Sequence, residues 1–384
     1  MLSVSKLLEP RLAGAGPLSR YSGKAVRPVV VWNMTGRCEL RCVHCYYGSG
    51  VRNAGELTTA EGRRLVEDLA SFGVQALIFS GGEPLEREDF FQLAGYAGKT
   101  GLRTVLSTNG VNIDRDIAKR IKDAGVSYAG VSIDGGEETN DRLRGVKGAY
   151  KRAVEGIRFL KGLGMTVGVR FTLSKKTVKE LPAVFRLMED EGIDRGYFAH
   201  LVYSGRGLGF SREDLSAPET RAALDCIFDM AEGFIKRGVK KDIVTGSNDA
   251  DGAYLYLRLR KKDPAKAEKI YRLLLERGGN SSGGLLAAVD STGDVHPDQF
   301  WRVNPLGNVR EKSFSAIWTG GGPLLEALRD RAGRLKGRCA GCGFLEICNG
   351  GYRVRALAAT GDIWAADPAC YLTDEEISFT MNLP

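Results

Sequence analysis

Histidine is scarce in this chain, with three among 384 residues, so imidazole chemistry has few places to sit. No apolar run approaches the ~18–20 residues that cross a bilayer, which excludes a membrane-spanning helix. The opening MLSVSKLLEPRLAGAG lacks the apolar core of a secretion signal, which places the protein in the cytoplasm. Long Lys/Arg runs and RNA-binding signatures are missing too, so no nucleic-acid partner is expected. Internal repeats and low-complexity tracts are absent, and no cysteine falls between Cys226 and Cys339.

What is present is ordinary in bulk. Hydrophobic residues make up 43% and charged ones 27%, enough to bury a core, and this excludes disorder, collagen and coiled coil. The length suggests two or three domains. The net charge of +8 fits either a solvated basic surface or a pocket for a partner bearing several carboxylates.

From residue 29 to 203 the chain alternates apolar runs with helical patterns. The runs are VVVWNM (29–34), QALIFS (75–80), RTVLST (103–108), YAGVSI (128–133), TVGVRFTL (166–173) and GYFAHLVY (196–203). Amphipathic stretches lie between them; Thr58 and Thr59 with Glu61 read as a helix start and Gly73 as its stop. Such alternation predicts βα units around a parallel sheet, with the chemistry at the C-terminal strand ends. After Tyr203 the regularity stops. Helices are expected near 217–237 and 250–276, and a hairpin with a Thr-Gly turn at 287–300. The expected division is an N-terminal extension at 1–28, a barrel at 29–203, a connecting region at 204–337 and a cysteine-rich domain at 338–384.

Eight cysteines are present, and seven form two groups. Grouped thiols in a reducing compartment point to metal or catalysis rather than disulfides. Cys38, Cys42 and Cys45, spaced C-x3-C-x2-C after the first strand, can hold three corners of a cubane iron–sulfur cluster and leave one iron open. The bland alternative is a zinc knuckle with His44 as fourth ligand, cramped because His44 adjoins Cys45. Cys339, Cys342, Cys348 and Cys370 suit a closed four-iron cluster or a structural zinc. Cys226, at an apolar helical position, reads as a small core residue.

The second strand ends in Ser80-Gly81-Gly82-Glu83-Pro84, where glycines allow backbone to approach a ligand and Glu83 is a candidate partner for a ligand amine. Behind the C-x3-C-x2-C loop, this motif closely resembles the radical S-adenosylmethionine (SAM) superfamily. Ser107 and Asn109 after strand three, Ser132 and Asp134 after strand four and Arg170 in strand five match as well. The resemblance implies a partial (β/α)6 barrel, an α/β fold, whose open iron chelates SAM. It also implies that the strand-two motif binds the methionyl amine, and that strand-four and strand-five residues meet the ribose and carboxylate. A reduced cluster would then cleave SAM to a 5′-deoxyadenosyl radical that abstracts substrate hydrogen. The tail resembles the SPASM/twitch extension of that superfamily. Full SPASM domains carry further upstream cysteines, so one auxiliary cluster is expected, giving two [4Fe–4S] clusters in all.

The segments TGSNDAD (245–251), GGNSSG (278–283), HPDQF (296–300), CNG (348–350) and DPACY (367–371) resemble the radical SAM enzymes that edit tetrapyrrole side chains. The likeness is greatest to those that remove two acetates from 12,18-didecarboxysiroheme to give Fe-coproporphyrin III. Enzymes of heme d1 synthesis, heme synthases that decarboxylate propionates and, more distantly, peptide maturases are the alternatives. An iron tetrapyrrole substrate and a reduced donor such as ferredoxin or flavodoxin are implied. Arg206, Arg302, Arg353 and Arg355 are candidate carboxylate clamps, since the planar guanidinium matches a carboxylate; each is equally readable as surface charge. His200 and His296 are candidates to ligate the substrate iron or deliver a proton, against a structural role, and Tyr203 and Asp298 to line the pocket.

Overall fold

β-Branched and aromatic runs become strands where the alternation predicted them. The computed structural model describes residues 1–9 and 27–378; residues 10–26 of the N-terminal extension and 379–384 of the tail lie outside the described residues. The strands are β1 (Leu2–Ser3), β2 (Val29–Asn33), β3 (Ala76–Ser80), β4 (Thr104–Thr108), β5 (Tyr128–Ser132), β6 (Thr166–Leu173) and β7 (Arg195–His200), followed by β8 (Asp242–Gly246), β9 (Leu286–Val289), β10 (Asp294–His296) and β11 (Gly307–Asn308). They form one sheet, ordered β1-β8-β7-β6-β5-β4-β3-β2-β9-β10-β11 among the described residues.

β2 to β7 pair in parallel, each step crossing over through a helix. The expected helix start and stop hold. Thr58 and Glu61 form a reciprocal capping box on the helix Thr59–Phe72, and Gly73 ends it in the left-handed conformation. The strands are buried on both faces, as a sheet covered by helices must be. This is the parallel α/β architecture that the six apolar runs predicted.

The sheet does not stop at Tyr203. β8 adds in parallel to β7, and β9 adds in parallel to β2, so the connecting region supplies a parallel strand at each side of the six. The hairpin expected at 287–300 forms from β9 and β10. β1 pairs antiparallel with β8, and Leu2, Val4, Leu7 and Leu8 sink into the core beside it. The expected helix over 250–276 breaks into Ala250–Arg260 and Pro264–Arg277, because Asp263 caps a new start with Pro264 in its first turn. Cys226 is partly buried on the helix Ala217–Lys236, packed against the core as read.

Candidate functional site: a barrel cavity and a four-thiol chamber

The inward faces of the strands and the loops above them enclose a cavity of about 360 Å³. Cys38, Cys42 and Cys45 line it from the loop after β2. That loop is hung on close backbone contacts. Gly82 N–H donates to the Thr35 carbonyl and Glu83 N–H to the Arg37 carbonyl, both at 2.7 Å. A Cβ on Gly82 would sit 1.8 Å from the Arg37 oxygen, so only glycine fits. Gly81, at φ 131°, occupies a conformation other residues resist.

Donors face the sulfurs. Arg144 Nη1 lies 3.6 Å from Cys42 Sγ, and Asn109 Nδ2 lies 3.9 Å from Cys38 Sγ. Burial pushes the Cys38 and Cys42 thiols up, away from thiolate, and Arg144 works against that at Cys42. Coordinated iron would reverse the balance, since a ligating thiol is deprotonated outright. Three thiols at one cavity wall, with hydrogen-bond donors turned to them, fit a thiolate-held cluster. The four remaining grouped thiols, Cys339, Cys342, Cys348 and Cys370, line a separate chamber of about 20 Å³. Among the described residues no three metal-ligating side chains close on one point; each thiol group rings a space instead.

Several predicted contacts change character. Ser80, Gly81, Gly82, Ser107, Asn109, Ser132 and Arg170 line the cavity as expected. Glu83 does not. It is 1% exposed, accepts Thr108 Oγ1 at 2.7 Å and Asn109 N–H at 2.8 Å, and burial with nearby Glu39 pushes its carboxyl up to about 8. Its carboxylate therefore staples β3 to β4, while the Gly81–Gly82 backbone faces the ligand space. Pro84 is buried and opens the short turn Pro84–Glu86. Asp134, fully buried, also turns from the cavity: it lies 3.0 Å from His44 Nε2 and pairs with Arg144. Burial opposes its charge, yet Arg144 and His44 together hold its carboxyl well below the usual range. His44 thus clamps the cluster loop onto β5 rather than acting as a zinc ligand.

The four nominated arginines do not line the cavity. Arg206 donates to the carbonyls of Cys42 (2.8 Å) and Ser49 (2.6 Å), bracing the cluster loop. Arg353 is 1% exposed and bonded to the carbonyls of Ile363, Ala365 and Gly350. Arg355 is fully buried, forks onto Asp367 at 2.7 and 2.8 Å, and donates to the Leu201 carbonyl. Arg302 lies exposed over the Tyr47 ring, 4.2 Å from its centroid. Arg353 and Arg355 are buried and Arg206 half-buried, and each spends its terminal N–H groups mainly on carbonyls or a carboxylate of its own chain.

Of the histidines, His200 lines the cavity but its Nε2 lies 3.0 Å from Asp251, which also accepts Tyr371 O–H at 2.8 Å. In β7 it shares a face with Phe198, opposite to Tyr197 and Ala199. His296 is buried outside the cavity, 3.5 Å from Asp290. Tyr203 donates to Asp214 at 2.7 Å and also lies off the cavity, while Asp298 accepts Ser282 Oγ at 2.5 Å. Sequence reasoning missed Tyr46, Arg144, Tyr197, Asp249, Arg277, Asn280, Gln299 and Tyr352, all of which line the space. Asp249 and Asn280 fall inside segments the resemblance had singled out; Arg277 looks like any basic helix end.

The start of the helix Ala250–Arg260, with the residues just before it, divides the two spaces. Asp249 lines the cavity, while Asn248 and Ala250 line the four-thiol chamber and Asp251 holds His200 and Tyr371. Asn280 completes the wall: its N–H donates to the Cys348 carbonyl at 3.0 Å and its Nδ2 to Asp249 at 3.2 Å.

Thiols carried on a glycine-hung loop at the mouth of a partial parallel barrel define a radical SAM enzyme, and the chain belongs to that superfamily. The Radical SAM superfamily matches residues 32–188, and the SPASM iron–sulfur cluster-binding domain matches 283–343, which includes Cys339 and Cys342. More particularly, the chain is 48% identical over 361 residues to Fe-coproporphyrin III synthase of Methanosarcina barkeri, covering 93% of this chain and 90% of that one. It is 45% identical to Pre-heme d1 synthase of Dinoroseobacter shibae, over 96% and 89% of the two chains. Streptococcus suis SuiB bound to its precursor peptide SuiA shares the fold, with a TM-score of 0.72, 18% identity and coverage of 91% and 76%. Iron–sulfur clusters and SAM are the cofactors of this superfamily, and the thiols and cavity described above fit them. No helix of the described residues is long and apolar enough to cross a membrane.

Proposed function

We propose that this chain removes the two acetate side chains of 12,18-didecarboxysiroheme to give Fe-coproporphyrin III. The observation that carries the reading is the 48% identity to Fe-coproporphyrin III synthase across 93% of the chain. In it, Cys38, Cys42 and Cys45 hold one [4Fe–4S] cluster, and Cys339, Cys342, Cys348 and Cys370 hold a second. When bound, the first cluster and SAM supply a 5′-deoxyadenosyl radical for hydrogen abstraction.

The chain's own residues bind, orient and exclude. The Gly81–Gly82 backbone meets the SAM amine, and Ser107, Asn109, Ser132 and Arg170 meet its ribose and carboxylate. Arg144 neutralises the thiolate side of the loop. His200, held by Asp251 on the β7 face opposite Tyr197, borders the cavity and supports its wall, as Tyr203 and His296 do outside it. A cytoplasmic location, with reduced ferredoxin or flavodoxin as donor, keeps the thiols and clusters reduced.

The relative at 45% identity favours a second reading, action on propionates as in heme d1 synthesis. One assay separates the two. Anaerobically reconstituted enzyme is incubated with SAM, reductant and didecarboxysiroheme, and the product is weighed. Loss of both acetates with 5′-deoxyadenosine formed supports our reading; unchanged substrate, or loss of propionates, overturns it.

A further inference from the structure

Three arginines line the cavity, Arg144, Arg170 and Arg277. Arg144 is held by Asp134 and Cys42, and Arg170 by Ser107 with Tyr197 beneath it. Arg277, the last residue of the helix Pro264–Arg277, leaves a terminal nitrogen unpartnered, where Arg144 leaves only its Nε. Its Nε donates to the Met1 carbonyl at 3.2 Å and its Nη2 to Asp249 at 2.7 Å, but Nη1 is buried with no hydrogen-bond partner. A buried guanidinium nitrogen left unsatisfied calls for a missing acceptor, and a native fold retains few such groups. Asp249 is itself fixed by Asn280, so the guanidinium plane is held on two sides and its open nitrogen needs little ordering to meet a ligand.

We propose that Arg277 is the carboxylate anchor of the substrate cavity, receiving an acetate or propionate of the macrocycle on Nη1 while Asp249 orients it. This rests on the tetrapyrrole reading and deepens it. The anchor stands on the wall shared with the four-thiol chamber, because Asn280 ties Asp249 to Cys348. The bound carboxylate then lies on that side of the cavity. Gln299 also lines the cavity, and its Oε1, buried and unpartnered, is an acceptor for a protonated side-chain acid.

The test is absorbance titration of ferric coproporphyrin III, which carries four carboxylates, and of its tetramethyl ester into reconstituted wild type, Arg277→Gln and Arg277→Lys. The acid is expected to bind R277Q about 10- to 100-fold more weakly than wild type, as for loss of a charged hydrogen bond. The ester is expected to bind both equally. R277K, which keeps a cation beside Asp249, falls between and covers the case in which R277Q does not fold. Acid affinity unchanged in R277Q and R277K overturns the anchor while leaving the tetrapyrrole reading intact. Equal losses for acid and ester also overturn it, since they would mark a structural residue. If wild type binds neither compound, the tetrapyrrole reading itself fails and the anchor with it.

Discussion

At the scale of single residues, burial decides what a charged side chain does. In the sequence CNGGYRVR, Arg353 and Arg355 are candidate carboxylate clamps or surface charges, yet both are sealed inside and bonded to their own chain. Asp367 shows the consequence. Burial opposes its charge, but Arg355 beside it outweighs that and holds the carboxyl below its ordinary value. The fork also reaches the Leu201 carbonyl, joining the cysteine-rich tail to the end of β7. Asp367→Asn leaves the Arg355 cation buried without its counter-charge, so unfolding free energy is expected to fall by about 3–5 kcal/mol in urea denaturation at pH 7. A carboxyl depressed in the folded state stabilises above the unfolded value near 3.9 and loses that contribution as pH falls through the folded one. The gap between wild type and D367N is therefore expected to be full at pH 6–8 and to shrink below about pH 4.

At the scale of elements, the cluster loop is positioned by the turn beneath it. Gly82 admits the Arg37 carbonyl where any side chain would collide. Gly82→Ala is expected to displace the loop and strip iron from the first site while the second group keeps its own. Iron and sulfide analysis, together with loss of 5′-deoxyadenosine formation, checks this; normal loading in G82A would contradict the close-packing argument. Gly279 has the matching role at the other space, since at φ 71° its Cβ would lie 2.4 Å from the Cys348 carbonyl carbon. Glycine motifs in both places were readable in the sequence because steric need and residue type coincide there.

At the scale of the whole molecule, the sheet runs through the first three of the four regions into which the sequence divides; among the described residues none of its strands lies in 338–384. β1 closes one side by pairing with β8, and Leu2, Val4, Leu7 and Leu8 are buried beneath it. A fully buried side chain of this kind contributes about 1.5–3 kcal/mol. Deleting residues 1–8 is thus expected to lower the melting temperature markedly and expose the β8 edge to aggregation, read by calorimetry and light scattering. An unchanged melting temperature would show that β1 contributes nothing.

How much of this was legible follows a physical divide. The six central strands were readable because each is an apolar run flanked by helical periodicity. β8 was not, since DIVTG falls outside that alternation, and β9 was readable only as a hairpin arm, its parallel pairing with β2 joining residues distant in sequence. In the site, the thiol spacing and the glycine motif were legible as local patterns. Arg353 and Arg355 were misplaced because enclosure is a tertiary property, and Arg277 was overlooked because its partners Met1 and Asp249 converge on it only in the fold.

Residues 248–250, at the start of a helix, give alternate side chains to two chambers, like a party wall between two rooms. Remodelling one face of it disturbs the other, so altering substrate preference here carries a cost in metal loading. Variants selected for a differently substituted macrocycle should accumulate instead at Tyr46, Gln299 and Phe300, which face the cavity without bordering the second chamber.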